Sequence, residues 1–184
     1  MIYFTSDTHF GHNRKFIFEP RGFNSIEEMN EAILENWNNV VSDDDDIYVL
    51  GDFFLGTNKD FIKDILSKLK GKIHLIIGNH DSEQRLEIYR NSDNIVEITY
   101  ATLIKYKKHY FYLSHYPTIT SNLEASPKDA VYNLFGHVHT KDKFYEDRPY
   151  MYNVSVDANK NKPIEINDIL DNIELEIERC KNFL

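Results

Sequence analysis

Histidine, acidic or amide residues occur in five short clusters of this chain. In order they are Asp7-Thr8-His9, Gly51-Asp52, Gly78-Asn79-His80-Asp81, Ser114-His115 and Gly136-His137-Val138-His139. Imidazole nitrogens together with carboxylate and amide oxygens are ligands of divalent metals of hard to borderline character. No cysteine belongs to these clusters. The residue types therefore indicate a metal-dependent hydrolase.

Three of the clusters begin where a predicted β-strand ends. These strands are residues 2–6, 47–50 and 73–77. Ligand sites of α/β sheets collect at the carboxyl edge of the strands, so we expect the clusters to meet there. The glycines at 51, 78 and 136 are expected to let the backbone turn tightly beside the candidate ligands.

Two of the clusters carry candidate ligands at alternate positions. Asp7 and His9 are two residues apart, and so are His137 and His139. In an extended segment this spacing places both side chains on the same face. Each pair is therefore expected to converge on one point.

The first half of the chain alternates predicted strands with predicted helices. Residues 25–28, Ser-Ile-Glu-Glu, have the pattern of a capping box and open a helix. The apolar face of this helix comprises Ile26, Met29, Ile33, Leu34 and Trp37, at helical spacing. A second apolar stripe comprises Phe61, Ile62, Ile65, Leu66 and Leu69, and Gly71 is placed to end that helix. Ser82 is placed to cap a short third helix.

The second half is rich in β-strands. Predicted strands cover residues 95–105, 109–113, 131–135 and 151–156, with a hairpin turn at Lys107-Lys108. From Asn167 the pattern returns to an amphipathic helix, which we expect to pack on the core rather than to dimerise. Two packed sheets flanked by helices, an α/β (α+β) fold, follow from this order. We predict a single domain over residues 1–184, because no repeat or linker divides the chain.

Composition and charge exclude several classes of protein. Hydrophobic residues make up 41% and charged residues 28% of the 184 residues, as in a globular domain. No apolar run approaches the roughly 20 residues of a membrane span, and the N-terminus lacks the pattern of a signal peptide. The only cysteine, Cys180, precludes an internal disulfide and fits a reducing compartment, so we predict a cytoplasmic location.

The net charge of −9 argues against stable binding of long nucleic acid. The acidic run at residues 43–46 is predicted to be a solvated loop, since it lacks the alternating spacing of a calcium-binding loop. An acidic surface around a cationic centre suits a small phosphorylated substrate better than a duplex.

Each cluster alone has an ordinary structural explanation, but all five together, in this order, resemble the calcineurin-like metallophosphoesterases. The motifs span residues 7–139. The resemblance implies a four-layer αββα sandwich of two mixed β-sheets flanked by helices, with a dinuclear metal site at one edge. It assigns Asp7, His9 and His139 to one metal, Asn79, His115 and His137 to the other, and Asp52 to both.

The resemblance also implies the chemistry. Two divalent cations activate a bridging hydroxide that attacks phosphorus, and nitrogen and oxygen ligands are compatible with Mn²⁺, Fe²⁺ or Zn²⁺. Mn²⁺ is the expected ion. His80 would be the general acid, with Asp81 orienting it by accepting a hydrogen bond from its ring. The alternative for His80 is that it only holds its loop.

Further residues near the motifs are weaker candidates. His12 and Arg14 would contact a substrate phosphate, the alternative for each being an ordinary solvated side chain. Tyr116 either forms a turn with Pro117 that aims His115, or stacks on the substrate. His74 and His109 lie in strand patterns and are predicted to be structural.

The predicted function is hydrolysis of a phosphodiester or phosphomonoester. No stretch between the motifs is long enough for a cap domain, so the site is expected to be open, which favours a phosphodiesterase or a broad phosphatase over a highly selective enzyme. The expected substrate is a small, nucleotide-derived ester. Two alternatives remain. One is a protein-interaction scaffold of the same fold, such as the retromer subunit, which lacks the histidine that corresponds to His80. The other is a nuclease, which the length and charge of this chain disfavour.

Overall fold

A computed structural model describes residues 1–56, 58–120, 130–146 and 148–182, with side chains described as far as residue 180. Within these ranges the chain forms ten strands and five helices. The strands are β1 (Ile2–Thr5), β2 (Asp46–Leu50), β3 (Lys72–Ile76), β4 (Ile95–Thr99), β5 (Ala101–Tyr106), β6 (His109–Ser114), β7 (Val131–Phe135), β8 (Phe144–Tyr145), β9 (Arg148–Asn153) and β10 (Ile164–Glu165). The helices are α1 (Lys15–Phe18), α2 (Ile26–Val40), α3 (Lys59–Lys68), α4 (Glu83–Arg90) and α5 (Ile166–Asn182).

The strands form two mixed sheets of five strands each. The first has the order β10-β1-β2-β3-β4, in which β1 to β4 are parallel and β10 is antiparallel to β1. The second has the order β5-β6-β7-β9-β8, in which β6, β7 and β9 are parallel. Two mixed sheets flanked by helices confirm the predicted fold class. The single domain over residues 1–184 remains a prediction.

Helices α2, α3 and α4 share a core with the first sheet. The capping box that was predicted for α2 is present, because the Ser25 side chain accepts a hydrogen bond from the Glu28 N–H at 3.1 Å. Glu28 in turn accepts from the N–H of Asn24 at 2.8 Å, one residue earlier than the standard motif. The buried Trp37 ring of α2 stacks on Phe53 at 6.0 Å, next to the end of β2.

A second core lies between the two sheets, and α5 is part of it. The buried residues of this core include Phe4, Leu50 and Ile76 of the first sheet and Phe111, Leu113, Leu134 and Tyr152 of the second. On α5, Ile169 and Ile173 are fully buried in the same cluster, whereas Leu175 is 66% exposed. The prediction that this helix packs on the core is therefore confirmed.

The predicted strand at 95–105 is wrong as one element, because it belongs to both sheets. The chain leaves the first sheet as β4 and enters the second as β5, with the exposed Tyr100 between them. The alternating pattern runs through this crossing, so periodicity alone does not mark it. The predicted hairpin is confirmed, since Tyr106 pairs with His109 and Lys107 has a positive φ of 52°.

The short elements α1, β8 and β10 were not predicted, and the predicted strand at 151–156 is displaced to β9. None of the helices in the described ranges has the length and apolar character that crossing a lipid bilayer requires.

Candidate metal centre

The seven predicted metal ligands come together beyond the carboxyl ends of five strands. They follow β1, β2 and β3 of the first sheet and β6 and β7 of the second. Two groups of three ligands are close enough to hold a metal ion each. The first group is Asp7, His9 and His139, and the second is Asp52, His115 and His137; within each group the ligand atoms lie within 4.8 Å of one another.

In the first group two imidazoles face each other. The Nε2 atoms of His9 and His139 are 3.2 Å apart, and Nε2 of His139 is 3.7 Å from Oδ1 of Asp7. Two ligands about 2.1 Å from one cation are separated by about 3.0–3.4 Å when the angle at the metal is octahedral or tetrahedral. The histidine separation therefore matches a shared cation.

The Asp7 carboxylate uses one oxygen for the protein and leaves the other free. Oδ2 accepts hydrogen bonds from the Ser6 hydroxyl at 2.6 Å and from the His137 N–H at 2.9 Å. Oδ1 is buried and has no hydrogen-bond partner among the described residues, although it faces His139. A buried carboxylate oxygen without a donor is costly, and a cation at this point would satisfy it.

The second group is built around His115. Its Nδ1–H donates to the Leu50 carbonyl at 2.8 Å, which directs Nε2 into the centre. Nε2 then lies 2.8 Å from Oδ1 of Asn79, although both of these atoms carry lone pairs. Such a contact is typical of two ligands of one metal. The ring of His137 lies 5.0 Å from that of His115 and completes the group.

Asp52 lies between the two groups. Its Oδ2 is 3.8 Å from Nε2 of His9 and 3.6 Å from Nε2 of His115. Its Oδ1 accepts a hydrogen bond from the His80 N–H at 2.8 Å, which fixes the orientation of the carboxylate. One carboxylate oxygen thus faces both candidate metal positions.

The expectation that the paired ligands are presented from extended segments is wrong. Asp7 and His9 have φ values of 55° and 50°, and His137 and His139 have values of 73° and 48°. Asp52 is also left-handed, with a φ of 54°. The side chains converge because the backbone turns sharply beyond each strand, in a region that residues with a side chain adopt rarely.

Two glycines are required by close approach of the backbone to the ligands. A Cβ atom at Gly136 would lie 2.3 Å from both Oδ2 of Asp7 and Oγ of Ser6. A Cβ atom at Gly51 would lie 2.5 Å from Nδ1 of His115, and Gly51 has a φ of +89°. Both positions therefore exclude any side chain, which is a stronger constraint than the tight turn that was predicted.

Burial shifts the acid–base properties of the ligands. Burial lowers the pKa of His9 to about 2, with a further contribution from the neighbouring His139. A neutral imidazole is the form that binds metal. Burial also raises the pKa of the Asp7 carboxyl, against the opposing effect of His139 and His115. A divalent cation beside Asp7 would stabilise the ionised carboxylate, so the residues present fit a metal.

The expectation that Asp81 orients the His80 ring is wrong. Oδ2 of Asp81 accepts hydrogen bonds from the N–H groups of Asp52 at 2.9 Å and Gly78 at 2.8 Å. Oδ1 accepts from the Phe53 N–H at 3.3 Å. Burial raises the pKa of the Asp81 carboxyl to about 6. Asp81 therefore holds together the loops after β2 and β3, because backbone N–H groups occupy the oxygens that His80 was expected to use.

His80 itself is exposed at the rim of the centre. Its ring lies 5.6 Å from the ring of His9, in an edge-to-face arrangement. Its N–H is held by Asp52, and its carbonyl oxygen accepts a hydrogen bond from the Arg85 guanidinium. The backbone is thus fixed while the imidazole faces solvent, and its role as general acid remains a prediction.

The weaker candidates differ in their position relative to the centre. The ring of His12 is 5.3 Å from that of His9, and burial lowers its pKa to about 4. Arg14 is exposed at the N-terminus of α1. On the other side of the centre, Tyr116 is 50% exposed and its ring lies 4.7 Å from that of His137. The structure therefore places His12 and Tyr116 at the edge of the centre.

The histidines that were predicted to be structural lie elsewhere. His74 pairs with Asp46 at 2.9 Å and Glu97 at 3.0 Å across neighbouring strands and stacks on Tyr48. His109 stacks on Tyr132 at 5.2 Å. Neither histidine belongs to a candidate metal group of the described residues.

Sequence reasoning missed Arg21 and Asp157. Nδ1 of His139 donates to Oδ2 of Asp157 at 3.0 Å, and Arg21 binds both oxygens of that carboxylate. Burial raises the pKa of Asp157, but the hydrogen bonds from His139 and Arg21 outweigh it and hold the pKa below its usual range. Their neighbours in sequence give no sign of this role, since Arg21 follows Pro20 in a turn and Asp157 stands apart from the five clusters.

Comparison with known proteins identifies the family. The model of the calcineurin-like phosphoesterase superfamily domain matches residues 1–156. An uncharacterized protein of Methanocaldococcus jannaschii is 34% identical over 178 residues, which cover 94% of this chain and 91% of that protein. The gene 66 protein of Mycobacterium phage L5 is 38% identical over 82 residues, covering 43% of this chain and 39% of that protein.

A solved structure shares the fold. The crystal structure of a protein of unknown function from Aquifex aeolicus superposes with a TM-score of 0.73 at 27% identity, covering 93% of this chain and 98% of that one. Together with the match over residues 1–156, these findings show that the chain belongs to the calcineurin-like phosphoesterase superfamily. The resemblance inferred from the five clusters is confirmed, and the family indicates a metal-binding hydrolase of phosphate esters.

Proposed function

We propose that this protein is a dinuclear metal-dependent phosphoesterase that hydrolyses a phosphodiester or a phosphomonoester. The observation that carries the proposal is the position of Asp52, whose Oδ2 lies 3.8 Å from Nε2 of His9 and 3.6 Å from Nε2 of His115. A carboxylate oxygen between two histidine-containing groups is the arrangement that bridges two cations. Mn²⁺ is the ion we propose, with Fe²⁺ and Zn²⁺ as the other ions that these ligands accept.

The ligands divide between two cations. Asp7, His9 and His139 would hold one cation and Asn79, His115 and His137 the other, with Asp52 shared. When bound, the two cations supply a hydroxide nucleophile and neutralise the charge that develops on the phosphoryl oxygens. Asn79 contributes a neutral oxygen, which leaves the pair of cations more electrophilic than a further carboxylate would.

His80 is proposed to donate a proton to the leaving-group oxygen. Its backbone is fixed by the hydrogen bond from its N–H to Asp52, so the ring is anchored to the bridging ligand. Its exposed imidazole stands 5.6 Å from the ring of His9 and can reach a substrate at the centre. Proton transfer of this kind contributes about 10²–10⁴-fold to the rate.

The substrate is proposed to be small, phosphorylated and nucleotide-derived. Two exposed aromatic side chains lie near the centre: Tyr116 beside His137, and Phe16, whose ring is 5.6 Å from that of His12. Their exposed fractions are 50% and 69%, and such rings stack well on planar groups. His12 and Arg14 would contact the phosphate.

Partners and location follow from the charge and the cysteine content. We propose no membrane partner and no stable binding of long nucleic acid, because the net charge is −9. The cytoplasm is the proposed location, since a single cysteine fits a reducing compartment.

The test compares bis-p-nitrophenyl phosphate with p-nitrophenyl phosphate, with and without Mn²⁺, for wild type, His80→Ala and His109→Ala. The last variant is a matched control, because His109 stacks on Tyr132 in the second sheet and lies outside the ligand groups. We expect Mn²⁺-dependent turnover that falls about 10²–10⁴-fold in His80→Ala and is retained in His109→Ala. The ratio of the two rates gives the preference for diester or monoester.

Absence of turnover by the wild type with Mn²⁺, Fe²⁺ and Zn²⁺ would contradict the proposal and favour the scaffold. Cleavage of a labelled oligonucleotide at physiological salt, at a rate above that of both nitrophenyl esters, would favour the nuclease instead.

A further inference from the structure

A buried charge pair, Arg21–Asp157, lies behind one of the two ligand groups. Arg21 is in the turn that follows α1, and only 2% of its side chain is exposed. Its Nε donates to Oδ1 of Asp157 at 2.8 Å and its Nη2 to Oδ2 at 2.9 Å. This two-point contact is the strong, directional form of an arginine–carboxylate interaction.

The remaining donors of Arg21 hold the backbone of the first ligand cluster. Nη2 donates to the carbonyl of Asp7 at 2.7 Å, and Nη1 donates to the carbonyl of Thr8 at 3.2 Å. These carbonyls belong to the turn in which Asp7 and His9 are both left-handed. Arg21 therefore stabilises the backbone conformation that directs these two ligands to the centre.

Asp157 holds the third ligand of the same group. Its Oδ2 accepts the Nδ1–H of His139 at 3.0 Å, which turns Nε2 of His139 toward Nε2 of His9 and Oδ1 of Asp7. A carboxylate on the second nitrogen of a metal-binding histidine fixes the ring and its tautomer. One ion pair thus contacts two members of the group directly, Asp7 through its backbone and His139 through its side chain. It also holds the carbonyl of Thr8, the residue that precedes the third member, His9.

Apart from the hydrogen bond from the His137 N–H to Oδ2 of Asp7, the second group is held by different contacts. His115 is oriented by the Leu50 carbonyl, and the bridging Asp52 by the His80 N–H. None of the hydrogen bonds of the described residues joins Arg21 or Asp157 to these side chains. Disturbing the ion pair is therefore expected to affect one metal position and spare the other.

We propose that Arg21 and Asp157 are positioning residues that determine occupancy of the metal position formed by Asp7, His9 and His139. The inference rests on the proposed function only in requiring that two cations bind. Residues that orient a metal-binding histidine contribute about 10–100-fold to metal affinity. The pair thereby controls whether the protein carries one cation or two at a given metal concentration.

The experiment is a titration of chelator-treated protein with Mn²⁺, monitored by calorimetry and by electron paramagnetic resonance. It compares wild type, Asp157→Asn and Asp46→Asn. Asp46→Asn is the matched control, because Asp46 forms a carboxylate–histidine pair with His74 outside the centre. We expect two Mn²⁺ per chain with an exchange-coupled spectrum in wild type and control. In Asp157→Asn we expect one site unchanged, the other weakened about 10–100-fold, and a single-ion spectrum at the same metal load.

Arg21→Lys keeps the charge but loses the two-point contact, and it replaces Asp157→Asn if that variant does not fold. The same loss of one site is expected. Two wild-type affinities in a folded variant would overturn the inference while leaving the proposed function intact. A wild type that binds no Mn²⁺ would overturn both. A loss of both sites to the same extent would show that the pair supports only the general fold, and would also overturn the inference.

Discussion

At the level of single residues, Asp81 connects two loops of the centre through the protein backbone. Asp81 is 7% exposed, and its carboxylate accepts hydrogen bonds from the N–H groups of Asp52, Phe53 and Gly78. The Tyr89 hydroxyl lies at 3.4 Å from the same group. Removal of this side chain would leave several buried donors without an acceptor, and each such donor costs about 1–3 kcal/mol.

We therefore expect Asp81→Ala to lower the free energy of unfolding by at least about 2 kcal/mol. Asp81→Asn keeps one acceptor oxygen of the same size and is expected to lose less. Urea unfolding monitored by circular dichroism measures both. The role that the sequence predicted for Asp81 would be restored by two results together. Asp81→Ala would have to be as stable as the wild type, and its activity would have to be unaffected by a further His80→Ala substitution.

The sequence predicts the candidate ligands but not the residues that support them. Asp7, His9 and His139 are recognisable because metal binding requires particular side chains, which stand in short motifs. Arg21 and Asp157 act through hydrogen bonds that join positions 136 residues apart. In a sequence, a buried arginine in a turn or a buried aspartate in a loop cannot be distinguished from the many solvated ones. Only the folded chain therefore reveals their contact.

At the level of elements, α5 closes the core between the two sheets. Ile173 is fully buried with residues of β1, β2, β7 and β9, while Leu175 lies on the opposite side of the helix and is 66% exposed. Ile173→Ala is expected to lower the free energy of unfolding by about 2–5 kcal/mol, because it leaves a cavity. Leu175→Ala, the control, is expected to change it by no more than about 0.5 kcal/mol.

Chemical denaturation of the two variants measures the difference. Equal losses would contradict the placement of α5 in the inter-sheet core, and a concentration-dependent loss in Leu175→Ala would indicate that the helix dimerises instead.

Element types were predictable where a single face is apolar, as in α2, whose cap and buried Trp37 both follow from the pattern. The division of residues 95–105 between β4 and β5 was not, since consecutive strands in different sheets carry the same alternation. The assignment of strands to sheets depends on long-range pairing, which periodicity does not contain.

At the level of the whole molecule, the ligand groups draw on strands of both sheets. Each group combines residues that follow β1 or β2 with residues that follow β6 or β7. A cation at either position would connect the sheets at this edge, and it would bind only the folded chain, since the ligands are distant in sequence. Metal binding should therefore stabilise the entire fold.

We expect Mn²⁺ at a concentration 100-fold above its dissociation constant to stabilise the protein by about 2.7 kcal/mol per site. For a chain of this length each kcal/mol raises the melting temperature by about 2–4 °C. Thermal unfolding in chelator and in Mn²⁺ measures the shift, and Asp52→Asn should reduce it, because Asp52 faces both groups. The same melting temperature in chelator and in saturating Mn²⁺ would contradict the expected coupling.

The left-handed backbone of five predicted ligands, Asp7, His9, Asp52, His137 and His139, has a consequence for the evolution and engineering of this protein. A residue with a side chain loses roughly 1 kcal/mol or more in this conformation, and glycine does not. Selection for thermostability in the absence of metal would therefore favour glycine at these positions, where glycine would remove the side chain that is predicted to bind the metal. Stability and activity are opposed at these positions, so a directed-evolution campaign should screen for both properties together.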